Sequence, residues 1–241
     1  MKKTKYVLLL ALLTAMLLLC GFKAQETTPC PEFPDVTWGM TAEEVLEAFD
    51  VTAEDVTVYH ESDISVAFSI DNGCVLFGAD TEKILFNFID PQKGKGTPKL
   101  CLMDITYPDT ADMVLVAENM EAVFGDCADT IRRYGGFQLD DELPSDDYEQ
   151  TDHLKLWASE TIKEVILDGQ NDNCEKYWEG FQAGLTKENW EEFSENACLV
   201  TAACVSEEDA FPKFEKNGVS IDASNLIIYQ WIEEETKTIT P

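Results

Sequence analysis

The sequence predicts an α+β fold, an antiparallel β-meander covered on one face by amphipathic helices. Three observations carry it. A helix start is written at 38–49, where Thr41 and Glu44 form a capping box ahead of Val45, Leu46 and Phe49 at helical spacing. Between 64 and 107, apolar residues recur at every second position in runs broken by turn residues. From Met113 to Phe124 the period lengthens again, with Val116, Ala117, Met120 and Val123 on one face. Helix, meander and helix in that order build two layers, the helices burying one side of the sheet.

Length and composition set the frame. The chain has 241 residues and is 45% apolar, enough for a core in one large domain or two small ones. Its 17 basic and 47 acidic side chains give a formal charge of −30. Such a surface repels phosphate, which excludes nucleic acid as a partner and an unaided electrostatic hold on anionic lipid.

The first 20 residues read as a targeting signal rather than as part of the fold. Lys2, Lys3 and Lys5 precede a nearly continuous aliphatic run over 6–19, shorter than the ~20 residues of a spanning helix. With Leu17 and Cys20 at its end, the segment resembles a bacterial lipoprotein signal, and the resemblance implies cleavage before Cys20 and lipid on that thiol. Leu19 departs from the pattern, in which a small residue precedes the cysteine. Secretion without lipid and an uncleaved N-terminal helix are the alternatives. Residues 21–34, with Pro31 and Pro34, read as a tether. The domain then spans 35–241, with 35–137 and 153–241 as candidate halves joined by an acidic loop.

Taken in order, the helix at 42–49 comes first, stapled by Met40 and Val45. Thr52 and Asp55 repeat the cap logic and predict one more helical turn. A strand begins at Val56 and Val58. The next, with Ile64, Val66, Phe68 and Ile70 on one face, ends in the hairpin turn Asp71-Asn72-Gly73. Residues 74–78 are expected to be the returning strand, Ile84, Phe86 and Phe88 a third, and Cys101, Met103, Ile105 and Tyr107 a fourth. Pro108 opens the second helix and Gly125 stops it. Residues 138–152, with seven carboxylates around Pro144, read as a loop. A second capping box, Thr161 and Glu164, starts a helix containing Ile162, Val165 and Ile166. Tyr177, Trp178 and Phe181 predict another. Residues 184–193 echo the opening stretch in register, so two degenerate repeats are the alternative architecture. Strands at 199–205, 219–221 and 226–232 close the chain, with a frayed tail after Glu233.

Candidate chemistry is sparse. Beyond Cys20, seven of the eight cysteines remain, none at C-x-x-C spacing, so they read as small buried apolar residues ahead of a disulfide framework. His60, Glu61 and Asp63 lack the second histidine of an ordinary metal motif and read as a solvated strand end. Lys93-Gly94-Lys95-Gly96-Thr97 lacks the spacing of a phosphate loop and lies between strands, so it reads as a mobile hairpin loop. Asp168, Asp172 and Glu179 fall where an EF-hand-like loop would place calcium ligands. Against that reading, Gln170 is a poor ligand, Asn173 replaces the turn glycine and Glu175 stands where an apolar residue belongs. A polar connection between helices is the favoured reading there. No catalytic residue, cofactor or metal site is assigned.

The run Trp38-Gly39-Met40-Thr41 with Glu43, Glu44 and Val45 resembles two groups. One is a set of uncharacterised lipoproteins of gut-type Gram-positive bacteria. The other, more distantly, is the small lipoproteins of the outer-membrane β-barrel assembly machinery with the β-lactamase inhibitory protein, in which such a run opens a helix packed on an antiparallel sheet. The resemblance implies a non-enzymatic role. The expectation is an exported, membrane-tethered lipoprotein that binds an envelope protein or serves as a structural module outside the cytoplasm. The alternatives are a calcium-dependent or hydrolytic enzyme using the acidic loops, and a solute-binding lipoprotein.

Overall fold

The computed structural model describes residues 36–71, 74–134, 145–168, 187–207, 210, 211 and 213–239. Its centre is a seven-stranded antiparallel sheet within an α+β fold. In chain order the strands are β1 (Thr57–Glu61), β2 (Ser65–Asp71), β5 (Lys83–Ile89), β6 (Lys99–Thr106), β9 (Leu154–Ala158), β10 (Thr201–Val205) and β11 (Gly218–Asp222). Across the sheet they run β1-β2-β5-β6-β11-β10-β9, so β11 from near the C-terminus joins the early strands to the late ones. The two-residue strands β3 (Val75–Leu76) and β4 (Ala79–Asp80) pair only with each other, and β7 (Thr130–Tyr134) pairs with β8 (Ser145–Glu149) as a separate ribbon.

Period two places a row of apolar side chains on one face, and the register lines them up. Val58, Phe68, Phe86, Met103, Ile221, Ala202 and Trp157 follow one another across all seven strands. All but Val58 are buried, and the helices lie over them. These are α1 (Ala42–Ala48), α2 (Met113–Phe124), α3 (Ile162–Asp168), α4 (Lys187–Asn196) and α5 (Ser224–Ile239).

The opening motif works as a hinge into the sheet. Gly39 takes φ +89°, a value that favours glycine, and its N–H donates to Leu100 O at 3.1 Å while Leu100 N–H donates to Met40 O at 2.7 Å. Thr41 then caps α1: its N–H reaches Glu44 Oε2 at 2.7 Å, and its Oγ1 accepts from Glu44 N–H at 3.3 Å. Val45 is fully buried and Phe49 meets Phe86 edge-on at 5.4 Å. The capping box at Thr161 and Glu164 starts α3 in the same way.

Several expectations are corrected. Residues 74–78 do not return along β2; that partner is β5, where Ile84, Phe86 and Phe88 face the alternating apolar residues of β2, whereas 74–78 buries Leu76 alone. The second helix begins at Met113, capped by Asp112, whose Oδ1 accepts from Leu115 N–H at 3.2 Å. Thr52 and Asp55 close a turn rather than a helix, the carboxylate holding both the Thr52 N–H and its hydroxyl. Residues 145–149, expected within a loop, form β8, since Asp147 binds Arg132 across the ribbon and Tyr148 packs on Phe211. Residues 154–158, unassigned in the sequence reading, form edge strand β9. Residues 226–232 are helical, and α5 extends to Ile239 where fraying was expected, because Ile227, Ile228 and Ile232 share its buried side. The turn at Asn72 and Gly73, and the expected helix at 177–181, lie outside the described residues.

Among the described residues, the second face of the sheet is covered at one end. There Leu154, Leu156, Ala203 and Val205 pack with Phe211 and Phe214, under the β7–β8 ribbon through Ile131 and Tyr148. Gly218 makes this possible, since a Cβ there would lie 2.2 Å from the Phe214 ring.

Candidate functional site

Among the described residues, three surface features stand out. One is a groove of about 660 Å³ beyond the covered end of the second face. Its floor crosses β2, β5 and β6 at Asp71, Lys83 and Thr106, which the register places side by side. Residues 213–217 form one wall. Two of its lysines are neutralised in place: Lys213 Nζ lies 3.3 Å from both carboxylate oxygens of Asp104, and Lys216 pairs with Asp109. Tyr107 sits behind the groove, fully buried, its hydroxyl donating to Leu76 O at 3.2 Å, and burial pushes its pKa up. The groove thus carries charge of both signs, with Lys213 and Lys216 held in ion pairs.

The second feature is a recess of about 190 Å³ where α2 crosses β9 and β10. Met113, Ala117 and Trp157 give it an apolar floor, the exposed Val114 stands at its mouth, and the thiols of Cys127 and Cys204 lie in the wall. Trp157 is held by its indole N–H, which donates to Gly125 O at 3.0 Å. Burial lifts the Cys204 thiol to about 12, so it stays protonated at neutral pH. Burial raises Cys127 as well.

The third is the open edge at β1. Every residue of this strand is exposed, and Val58, Tyr59 and the neighbouring Ile64 are 52%, 57% and 55% accessible, high values for large apolar side chains. Tyr59 is a bulge, the extra residue between Val58 and His60 in the pairing with β2.

The sequence-stated candidates fall as follows. Cys20, Asp172 and Glu179 lie outside the described residues, and Asp168 is the last residue of α3. His60 is exposed and its Nε2 lies 3.2 Å from Ser62 Oγ. That hydroxyl accepts from the Ile64 and Ser65 N–H groups and donates to Ser65 O, so Ser62 closes the β1–β2 turn with His60 beside it. In the acidic loop, Asp147 binds the Arg132 guanidinium at 2.7 and 3.1 Å, which holds its carboxyl below the usual range. Among the described residues, no group of three or more His, Cys, Asp or Glu side chains is placed to hold a metal ion, and no helix is long and apolar enough to cross a membrane. Cys101 and Cys204 are buried in the core, with Cys101 also pushed up to about 12 by burial.

The loop at 91–98 is tied down from below. Asp90 is buried, and its carboxylate accepts the N–H groups of Gln92, Gly94 and Gly96 at 2.9, 2.7 and 2.8 Å. Its backbone N–H groups are thus turned inward to a carboxylate rather than outward to a phosphate. The missed signals were the recess, formed by residues far apart in the chain, and β9, whose Leu-Lys-Leu-Trp run is short. In comparison with known proteins, no protein-family model, no curated protein sequence and no solved structure matches this chain.

Proposed function

We propose that this chain is an exported, lipid-tethered module that binds another protein at the cell envelope and performs no catalysis. The observation that carries the reading is the β1 edge, where Val58, Tyr59 and Ile64 stand exposed at the end of a sheet that helices cover on one face. An unpaired strand offers backbone donors and acceptors to an incoming segment, and exposed apolar side chains beside it add burial. The bulge at Tyr59 and the acidic residues Glu61 and Asp63 discourage copies of the chain from pairing edge to edge. The basic, aliphatic and cysteine-terminated order of residues 1–20 supports export and tethering.

Two measurements test it in cells. Labelled palmitate is expected in the wild type and lost in Cys20→Ala. A photo-crosslinking residue at Tyr59 is expected to trap a discrete protein, and one at Glu43 on the outer side of α1 is not. Label that survives Cys20→Ala overturns the tether, and equal trapping from both positions overturns the edge.

A further inference from the structure

We infer that the recess between α2 and β9 is an anchor pocket for a protein segment carrying one aliphatic side chain flanked by lysine or arginine. This takes from the reading above only that the partner is a protein; it concerns a different surface from the β1 edge. The recess holds about 190 Å³, small for a metabolite-sized ligand and matched to a single side chain. Its interior is apolar, and Val114 at its mouth is 71% exposed, the most accessible large apolar residue described. A side chain seated against Val114 and Ala117, over the buried Met113 and Trp157, would remove that exposed surface from water.

Charge selects what surrounds the anchor. Glu118, Glu121 and Asp152 stand on the rim against one lysine, Lys155, and His153 is engaged with Glu207 at 3.0 Å. The chain as a whole carries −30, so a second copy would bring carboxylates to carboxylates, and an acidic partner meets the same repulsion. A cationic flank is attracted, and the aliphatic residue between the charges supplies the burial.

The test uses the full chain labelled with 15N at its tryptophan indoles, the Trp157 signal being identified by its loss in Trp157→Phe. Four capped pentapeptides serve as probes: Lys-Lys-Leu-Lys-Lys, its Ala-centred analogue, Gly-Gly-Leu-Gly-Gly and Glu-Glu-Leu-Glu-Glu. The first is expected to shift the Trp157 signal saturably, with apparent affinity at least about tenfold above the other three. Ala117→Leu, which fills the recess, is expected to abolish that preference while the melting temperature and the Tyr59 crosslink stay unchanged. Equal shifts from the Ala-centred peptide overturn the anchor, and equal shifts from the glycine or glutamate peptides overturn the cationic flank. A Trp157 shift that follows protein concentration without peptide assigns the pocket to a second copy and overturns the proposal. Loss of the Tyr59 crosslink with the peptide preference intact tells against the edge and leaves the pocket standing.

Discussion

At the scale of single residues, Asp90 and Gly218 each hold a segment that local propensity leaves loose. Burial raises the Asp90 pKa, but the N–H groups of Gly96, Gln92, Gly94 and Lys95 outweigh it, and the carboxyl lies below its ordinary 3.8. A lowered folded-state value means that its stabilisation is fully present above the ordinary value and is lost as pH falls through the folded one. Asp90→Asn is therefore expected to be less stable at pH 7 by about 2 kcal/mol, with the gap narrowing toward pH 2, read from urea midpoints along the pH series. A gap that is constant with pH would sink the electrostatic part of this account. Gly218→Ala is expected to cost about 1–3 kcal/mol, since a new methyl group must displace the Phe214 ring 2.2 Å away. In Phe214→Ala the same glycine substitution should cost much less, and a double-mutant cycle measures the difference.

At the scale of elements, the ends of the sheet differ. Strand β9 is buried on both faces, Trp157 toward the helices and Leu154 and Leu156 toward Phe211. Strand β1 is exposed throughout and bulged. Amide hydrogen exchange is expected to be fastest in β1 and slowest in β6, which lies between β5 and β11; protection of β1 equal to that of β6 would contradict an open edge. The elements also differ in how far their residues announce them. The two capping boxes and the alternation in β2, β5 and β6 were readable because each is a local pattern with a local physical cause. Residues 226–232 misled because Leu-Ile-Ile-Tyr carries strand-type propensity, whereas the placement of Ile227, Ile228 and Ile232 against the core selects the helix. A sign was present in Asp222, whose Oδ1 accepts from the Ser224 N–H at the start of α5. Strand β8 carries little strand signal in Ser-Asp-Asp-Tyr-Glu, and it is held by contacts across the chain: Asp147 binds Arg132 on the ribbon, and Tyr148 packs on Phe211.

At the scale of the whole molecule, the order β6-β11-β10-β9 binds the two halves of the chain into one sheet. Residues 35–137 expressed alone are expected to show no cooperative melting transition, because β6 loses its partner β11 and the helix-covered face loses Ile221 and Ala202. A sharp transition in that fragment would contradict a shared core. The recess has the same origin, its walls coming from α2 at one point in the chain and from β9 and β10 much later. By itself the sequence determined the acidic charge, the capped helices and the α+β class, since these rest on residue type and on spacing within a dozen positions. The tertiary structure alone decided which strands neighbour one another, that 224–239 is a helix, and where apolar surface is left uncovered. Those outcomes depend on which distant side chains can be buried together, a matter of packing that no local pattern encodes.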